Sequence, residues 1–129
     1  MHFDDHGPAT RVLVADSNPR VRAGLRAFIE AQADLEFVGD ANSESWLLWA
    51  LRVAQPDVVL LDLALAGRPP SGMLQAAREC SPRTRIVIMS ARPWEESGAL
   101  QAGAHDFVSK CQPPERVFAA LRPNRQIAA

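Results

Sequence analysis

Four polar residues stand at the ends of short apolar-rich runs. Asp16 follows Arg11–Ala15, Asp62 follows Val58–Leu61, Ser90 follows Arg85–Met89 and Lys110 follows His105–Ser109. Two carboxylates suit a hard divalent cation such as Mg²⁺, which takes oxygen ligands and keeps several waters. A lysine and a hydroxyl suit phosphoryl oxygens, the one as a point charge and the other as a hydrogen-bond donor. Carboxylates also act as covalent nucleophiles. Asp62 is therefore a candidate acceptor of a phosphoryl group, with a cation and Lys110 offsetting the charge on the transferred oxygens. Alone, Asp62 would read as a turn cap. Its position after a run buried on both faces, and the three companions, change that reading.

The elements that must bring these residues together follow from the pattern. Val58-Val59-Leu60-Leu61 is the continuous apolar run of a strand buried on both faces of a parallel sheet, with Pro56 where it can begin. Arg11–Ala15, Leu35–Gly39, Arg85–Met89 and His105–Ser109 complete five predicted strands, the second at an edge. Helices alternate with them. The first is capped by Asn18-Pro19 and runs to about Ala33, with Val21, Leu25, Phe28 and Ile29 on one face. The second is capped by Ser43 and spans about Glu44–Ala54. Gly67–Gly72 reads as a loop, followed by a third helix over Met73–Cys80. The fourth covers Trp94–Ala102 and stops at Gly103; the fifth opens at Pro113-Pro114 and is cut short by Pro123. Five strands alternating with five helices predict an α/β fold. The expected form is a doubly wound, flavodoxin-like parallel sheet in order 2-1-3-4-5, with helices on both faces. In such a sheet all four polar residues reach one edge.

The bulk numbers agree with one domain. The chain has 129 residues, 47% hydrophobic and 22% charged, with a net charge of −1. That balance gives no pull toward nucleic acid or membrane, and no run approaches the length of a membrane span. Residues 1–10 read as a flexible tail, 11–122 as the domain, and 123–129 as a tail or the start of a linker. The start of the chain lacks the basic and apolar segments of a signal peptide, and a cytoplasmic location is expected. His2 and His6 read as tail residues rather than a metal pair. Cys80 and Cys111 form no metal spacing; Cys111 reads as a packed thiol, and the two lie at opposite ends of the sheet.

The stretches Val12–Pro19 (VLVADSNP), Pro56–Leu63 (PDVVLLDL), Ile86–Ala91 (IVIMSA) and Ala102–Lys110 (AGAHDFVSK) together resemble the receiver domain of a two-component response regulator. Val21–Arg26 and Leu35–Asp40 are most similar to the subfamily with a C-terminal helix-turn-helix DNA-binding domain. The resemblance covers roughly residues 11–122. It implies that Asp62 is the phosphoacceptor, fed by a histidine kinase or phosphotransfer protein. It makes Ser90 the switch hydroxyl, Lys110 the phosphate-contacting lysine, and Phe107 the stand-in for the switch aromatic. Asp16, Asp62 and the Ala64 backbone carbonyl are the implied Mg²⁺ ligands. The implied output is transcriptional, through a DNA-binding domain outside this chain, with no nucleic acid bound by this domain itself.

Three departures bear on that expectation. The family usually has two adjacent acids after the first strand; here the pair is Asp16-Ser17, and Ser17 is a poor ligand. The loop over Leu65–Gly72 is about two residues longer than usual by matching, with Arg68 read as solvated. Phe107 has no hydroxyl. The expected function is a phospho-switch with a weakened Mg²⁺ site. The alternative is a phosphorylation-independent receiver acting in homodimerisation or protein interaction. A stand-alone phosphatase is disfavoured because Ala64 stands where a haloacid-dehalogenase-type enzyme carries a second acid, so the chain is read as a regulatory domain and not an enzyme. A flavin protein would need a phosphate loop that Asp16–Pro19 does not form.

Surface expectations centre on tryptophans. Trp46, Trp49 and Val53 share a stripe on the second helix, with Leu47, Leu51 and Ala54 as the core-facing set. The stripe, together with Trp94, is a candidate partner surface. Trp94 is expected at the rim of the site, where it could shield it. Glu95 and Glu96 read as complements to a helix dipole.

Overall fold

The computed structural model describes residues 8–66 and 69–122. Strands β1 (Thr10–Ala15), β2 (Leu35–Ala41), β3 (Val58–Asp62), β4 (Arg85–Ser90) and β5 (Asp106–Ser109) form one parallel sheet in the order β2-β1-β3-β4-β5. Helices α1 (Pro19–Glu30), α2 (Glu44–Ala54), α3 (Ser71–Cys80), α4 (Glu96–Gln101) and α5 (Pro114–Leu121) connect and cover it. This is the doubly wound, flavodoxin-like arrangement expected.

Side chains alternate between two cores, as the pleat requires. Val12, Val14, Val58, Leu60 and Val87 pack on one face with Ile29 of α1 and Leu121 of α5. Leu13, Val59, Leu61, Ile86 and Ile88 pack on the other with Leu47, Leu74 and Ala99 of α2, α3 and α4. Burial of every β3 residue on both faces explains the uninterrupted apolar run that was read as a central strand.

Several boundaries differ from the sequence reading. β1 begins at Thr10, inside the expected tail, because the Thr10 N–H donates to the Asp34 carbonyl at 2.9 Å. Helix α1 stops at Glu30 rather than near Ala33: the chain must turn at Gln32 to start the β2 edge strand at Leu35. That strand runs on to Ala41 with a bulge at Val38, relieved by Gly39 at a positive φ of 153°. Ser71 and Gly72 are helical, not loop. The predicted fourth helix divides into a 3₁₀ turn, Pro93–Glu95, and a six-residue α4. The α2 caps match: Ser43 Oγ accepts from the Trp46 N–H at 3.2 Å. On α2, Leu47 and Leu51 are buried as expected, but the third buried residue is Ala50, with Ala54 half-buried. The expectations on His2, His6, Arg68 and Pro123 lie outside the described residues.

The short α5 is held by ring and charge contacts. Phe118 stacks on Phe28 of α1 with centroids 3.9 Å apart. Arg122, the C-cap of α5, makes a two-pronged pair with Asp34, the second prong at 2.7 Å.

His105 ties β4 to the β5 entry. Its Nδ1 accepts from the Ile86 N–H at 2.9 Å, and the His105 backbone N–H donates to the Ile86 carbonyl at 2.8 Å. An accepting Nδ1 carries no proton. Burial lowers the pKa of the ring, and Arg85 and Arg78 lower it further. The unfolded chain therefore holds the proton more tightly, and stability falls as pH drops through the ordinary value of 6.5. We expect His105→Gln to show a shallower loss of unfolding free energy between about pH 7 and about pH 5.5, measured by urea titration at each pH. An unchanged slope would remove His105 from the acid response.

Candidate functional site

The C-terminal edge of the sheet brings together the four residues singled out at the strand ends. Asp16 follows β1 and is 1% exposed; Asp62 closes β3 and is 5% exposed. Lys110 follows β5. Its Nζ lies 3.2 Å from Asp16 Oδ2 and 3.2 Å from Asp62 Oδ2. Each carboxylate's other oxygen is held by backbone: Asn18 N–H donates to Asp16 Oδ1 at 2.8 Å, and Ala64 N–H to Asp62 Oδ1 at 3.1 Å. The first bond orients Asp16 just before α1. The second makes Asp62 the cap of a 3₁₀ turn, Leu63–Leu65, that the sequence reading did not foresee. Asp62 is thus a turn cap and a site residue at once.

The charge balance is local. Burial alone lowers the pKa of the Lys110 ammonium, but attraction to Asp62, with hydrogen bonds to Asp16 and Asp62, outweighs it and the net direction is up. The lysine is charged at neutral pH. Its backbone N–H donates to the Ser90 carbonyl at 2.8 Å, which fixes β5's end to β4's. A cavity of about 430 Å³ opens in front of Asp62, bordered by Ala64, Ser90, Arg92, Glu95 and Lys110.

Ser90 is buried, and its hydroxyl is engaged on both sides. It accepts from the Arg92 N–H at 3.0 Å and donates to a carboxylate oxygen of Glu95. By sequence Glu95 complements a helix dipole; the structure also makes it a cavity residue bonded to Ser90. The signal available in the sequence is only an acid five residues beyond the hydroxyl; the Pro93–Glu95 turn brings the two together. Phe107 is buried among Ile86, Ile88, Ala99 and Ala104. Ser17 is exposed, as is Ala64. Among the described residues, no three His, Cys, Asp or Glu side chains are grouped to share a metal ion.

Trp94 is 77% exposed on the turn beside the cavity and does not border it, so the expectation that it shields the site is not met. Cys111 is exposed rather than packed, and Cys80 is half-buried; both are free thiols. Trp46, Trp49 and Val53 face outward on α2, with Trp49 61% exposed. They lie away from the cavity and are not brought into it.

Residues 12–122 match the response regulator receiver domain family. The chain belongs to that family. The nitrate/nitrite response regulator NarL of Escherichia coli K12 is 34% identical over 116 residues, covering 88% of this chain and 53% of NarL. The transcriptional regulatory protein YxjL of Bacillus subtilis is 32% identical over 117 residues, covering 87% of this chain and 52% of YxjL. The chain spans about half the length of these curated relatives. The signal receiver domain of a NarL response regulator from Mycobacterium tuberculosis superposes with a TM-score of 0.81 at 27% identity, covering 93% of this chain and 98% of that one. Within the family, this chain is thus similar to the receiver domain of NarL-type regulators. No helix among the described residues is long and apolar enough to cross a membrane.

The shared lysine yields a stability prediction. Removing it leaves two buried carboxylates facing each other. Lys110→Met should lose about 1–3 kcal/mol at neutral pH, a figure reduced because the lysine is partly exposed. The double variant Lys110→Met/Asp16→Asn should recover part of that loss in urea unfolding. Equal losses in both would show that the carboxylates do not repel.

Proposed function

We propose that Asp62 accepts a phosphoryl group from a histidine kinase or phosphotransfer protein, and that the chain acts as the phosphorylation-controlled switch of a regulator. The observation that carries this is the Lys110 ammonium held 3.2 Å from both Asp16 and Asp62 at the floor of an open cavity, with Ser90 on its wall. A carboxylate oxygen of Asp62 attacks phosphorus. An acyl phosphate forms as the donor's P–N bond breaks, and the electron pair returns to the donor imidazole. Lys110 turns its charge to the arriving phosphoryl oxygens, and its hydrogen bond to Asp16 keeps it in place.

The donors here suit Mg²⁺ in kind: the carboxylates of Asp16 and Asp62 are hard oxygen ligands, with the Ala64 carbonyl as a third. Ser17 adds no charge, so we assign a weak site. The ion supplies charge compensation to the phosphoryl oxygens when bound. Phosphorylation shifts a pre-existing equilibrium between two arrangements of one fold. Ser90 and Phe107 are the residues whose rearrangement carries the shift. Phe107 does so as an apolar plug, without a surface hydrogen bond. The resemblance to NarL and YxjL supports a transcriptional output through a DNA-binding partner domain in the cytoplasm. The chain itself is then a regulatory domain rather than an enzyme.

The test is incubation with acetyl phosphate and Mg²⁺, read by intact-protein mass. We expect a gain of one phosphoryl group, labile to base and absent in Asp62→Asn. We also expect Mg²⁺ dependence extending to higher concentration than in a relative with two adjacent acids. No adduct in folded protein at saturating Mg²⁺ would overturn the reading. Function would then rest on surfaces such as the Trp46–Trp49–Val53 ridge, acting through self-association or another protein.

A further inference from the structure

Ser90 has one hydroxyl proton, and it is committed. It is donated to Glu95, on the turn that follows β4 and on the border of the same cavity as Asp62. Glu95 is held there by its own surroundings. Its N–H donates to the Arg92 carbonyl at 3.0 Å, and its Oε2 lies 3.9 Å from Arg92 Nη1. The Arg92 backbone N–H occupies the accepting side of Ser90 at 3.0 Å. The hydroxyl, the carboxylate and the arginine thus form a closed set along one wall of the acceptor cavity.

We propose that Glu95 is a positioning residue that holds the Ser90 hydroxyl in reserve, and that a phosphoryl group on Asp62 must displace it. The idea rests on Asp62 being the acceptor. Two physical facts drive it. A hydroxyl with a single proton cannot donate to Glu95 and to a phosphoryl oxygen together. A carboxylate and a phosphoryl group bordering one cavity repel each other, and more strongly as water leaves. When Ser90 turns its proton to the phosphoryl oxygen, Glu95 loses its donor and meets a like charge. It then moves out toward solvent, drawing the Pro93–Glu95 turn and the start of α4 with it. Glu95 therefore sets how tightly the phosphorylated form is held and links the site to α4. Helix α4 is six residues long and buries only Ala99, so little packing resists that movement.

The experiment uses beryllofluoride, which binds a carboxylate as a phosphoryl mimic, at one saturating Mg²⁺ concentration. Affinity is read by titration, with Trp94 emission as a second signal because Trp94 precedes Glu95 on the same turn. Glu95→Ala should bind beryllofluoride roughly ten-fold more tightly, the size expected for freeing a charge-assisted hydrogen bond. Glu95→Gln keeps an acceptor but no charge and should gain less. The Trp94 change on binding should shrink in both. In a Ser90→Ala background the Glu95→Ala gain should fall to a few-fold at most, because no hydroxyl remains to release and only the charge repulsion is relieved. Urea unfolding of each variant shows whether it is folded. Two substitutions at Glu95 guard against one that is not.

Wild-type protein that binds beryllofluoride with Glu95 variants that bind no better would overturn the proposal and leave Asp62 as the acceptor. A full gain surviving in the Ser90→Ala background would also overturn it, since Glu95 would then act by charge alone. Failure of every folded form to bind would overturn the acceptor reading, and this proposal with it.

Discussion

The site depends on one ammonium shared by two buried carboxylates. Asp16 and Asp62 are nearly inaccessible to water, and two such charges side by side are costly without a cation between them. The cation arrives from the far side of the sheet. In the order β2-β1-β3-β4-β5, Lys110 leaves β5 and must pass the end of β4 to reach β3 and β1. Strands lie roughly 4.8 Å apart, so the full length of a lysine side chain is needed. Passing β4 is what places Lys110 beside Ser90. The backbone bond from Lys110 N–H to the Ser90 carbonyl sets the start of that reach. An arginine would carry the charge but not the compact head that fits between two carboxylates.

This arrangement divides the cavity into two walls of different stiffness. On one wall, Asp62 closes a strand whose residues are all buried, Asp16 follows a strand buried from Val12 to Ala15, and each carboxylate is pinned by a backbone N–H. On the other, Ser90 is fixed by β4, but its partner Glu95 stands on a 3₁₀ turn followed by a helix with one buried residue. The chemistry sits on the stiff wall, and the capacity to move sits on the loose one. A switch needs both: a rigid acceptor for positioning, and an element whose two arrangements differ by little free energy.

What was legible in the sequence is what the sheet imposes. Asp16, Asp62, Ser90 and Lys110 could be read as neighbours because parallel strands put their C-terminal ends on one edge, and an apolar run shows where a strand ends. The β-order and the Ser43 cap were legible for similarly local reasons. What escaped depended on chain geometry between elements. The end of α1 is decided by where β2 must begin. The helical start at Ser71 and the 3₁₀ turn after Asp62 depend on backbone bonds that no side-chain pattern advertises. Glu95 escaped most consequentially: an acid in a first helical turn is accounted for by the dipole, and its contact with Ser90 depends on the path of the Pro93–Glu95 turn. Cys111 was expected to pack because most thiols do, yet it follows the last strand into an exposed turn.

The charges around the cavity tie these points together. Asp16, Asp62 and Glu95 contribute three negative charges, and Lys110 and Arg92 two positive ones, for a net of −1. The family's usual second acid would have made it −2; Ser17 removes that charge from the side where a cation is drawn in. Glu95 adds one on the opposite wall, beside the hydroxyl a phosphoryl group needs. The total therefore matches a receiver with two adjacent acids and no Glu95, but the distribution is reversed. Less negative charge recruits the cation, and more opposes the phosphoryl oxygens. The pattern therefore splits two demands between the two walls: how strongly a cation is drawn is set beside Ser17, and how readily further negative charge is accommodated in front of Asp62 is set beside Glu95.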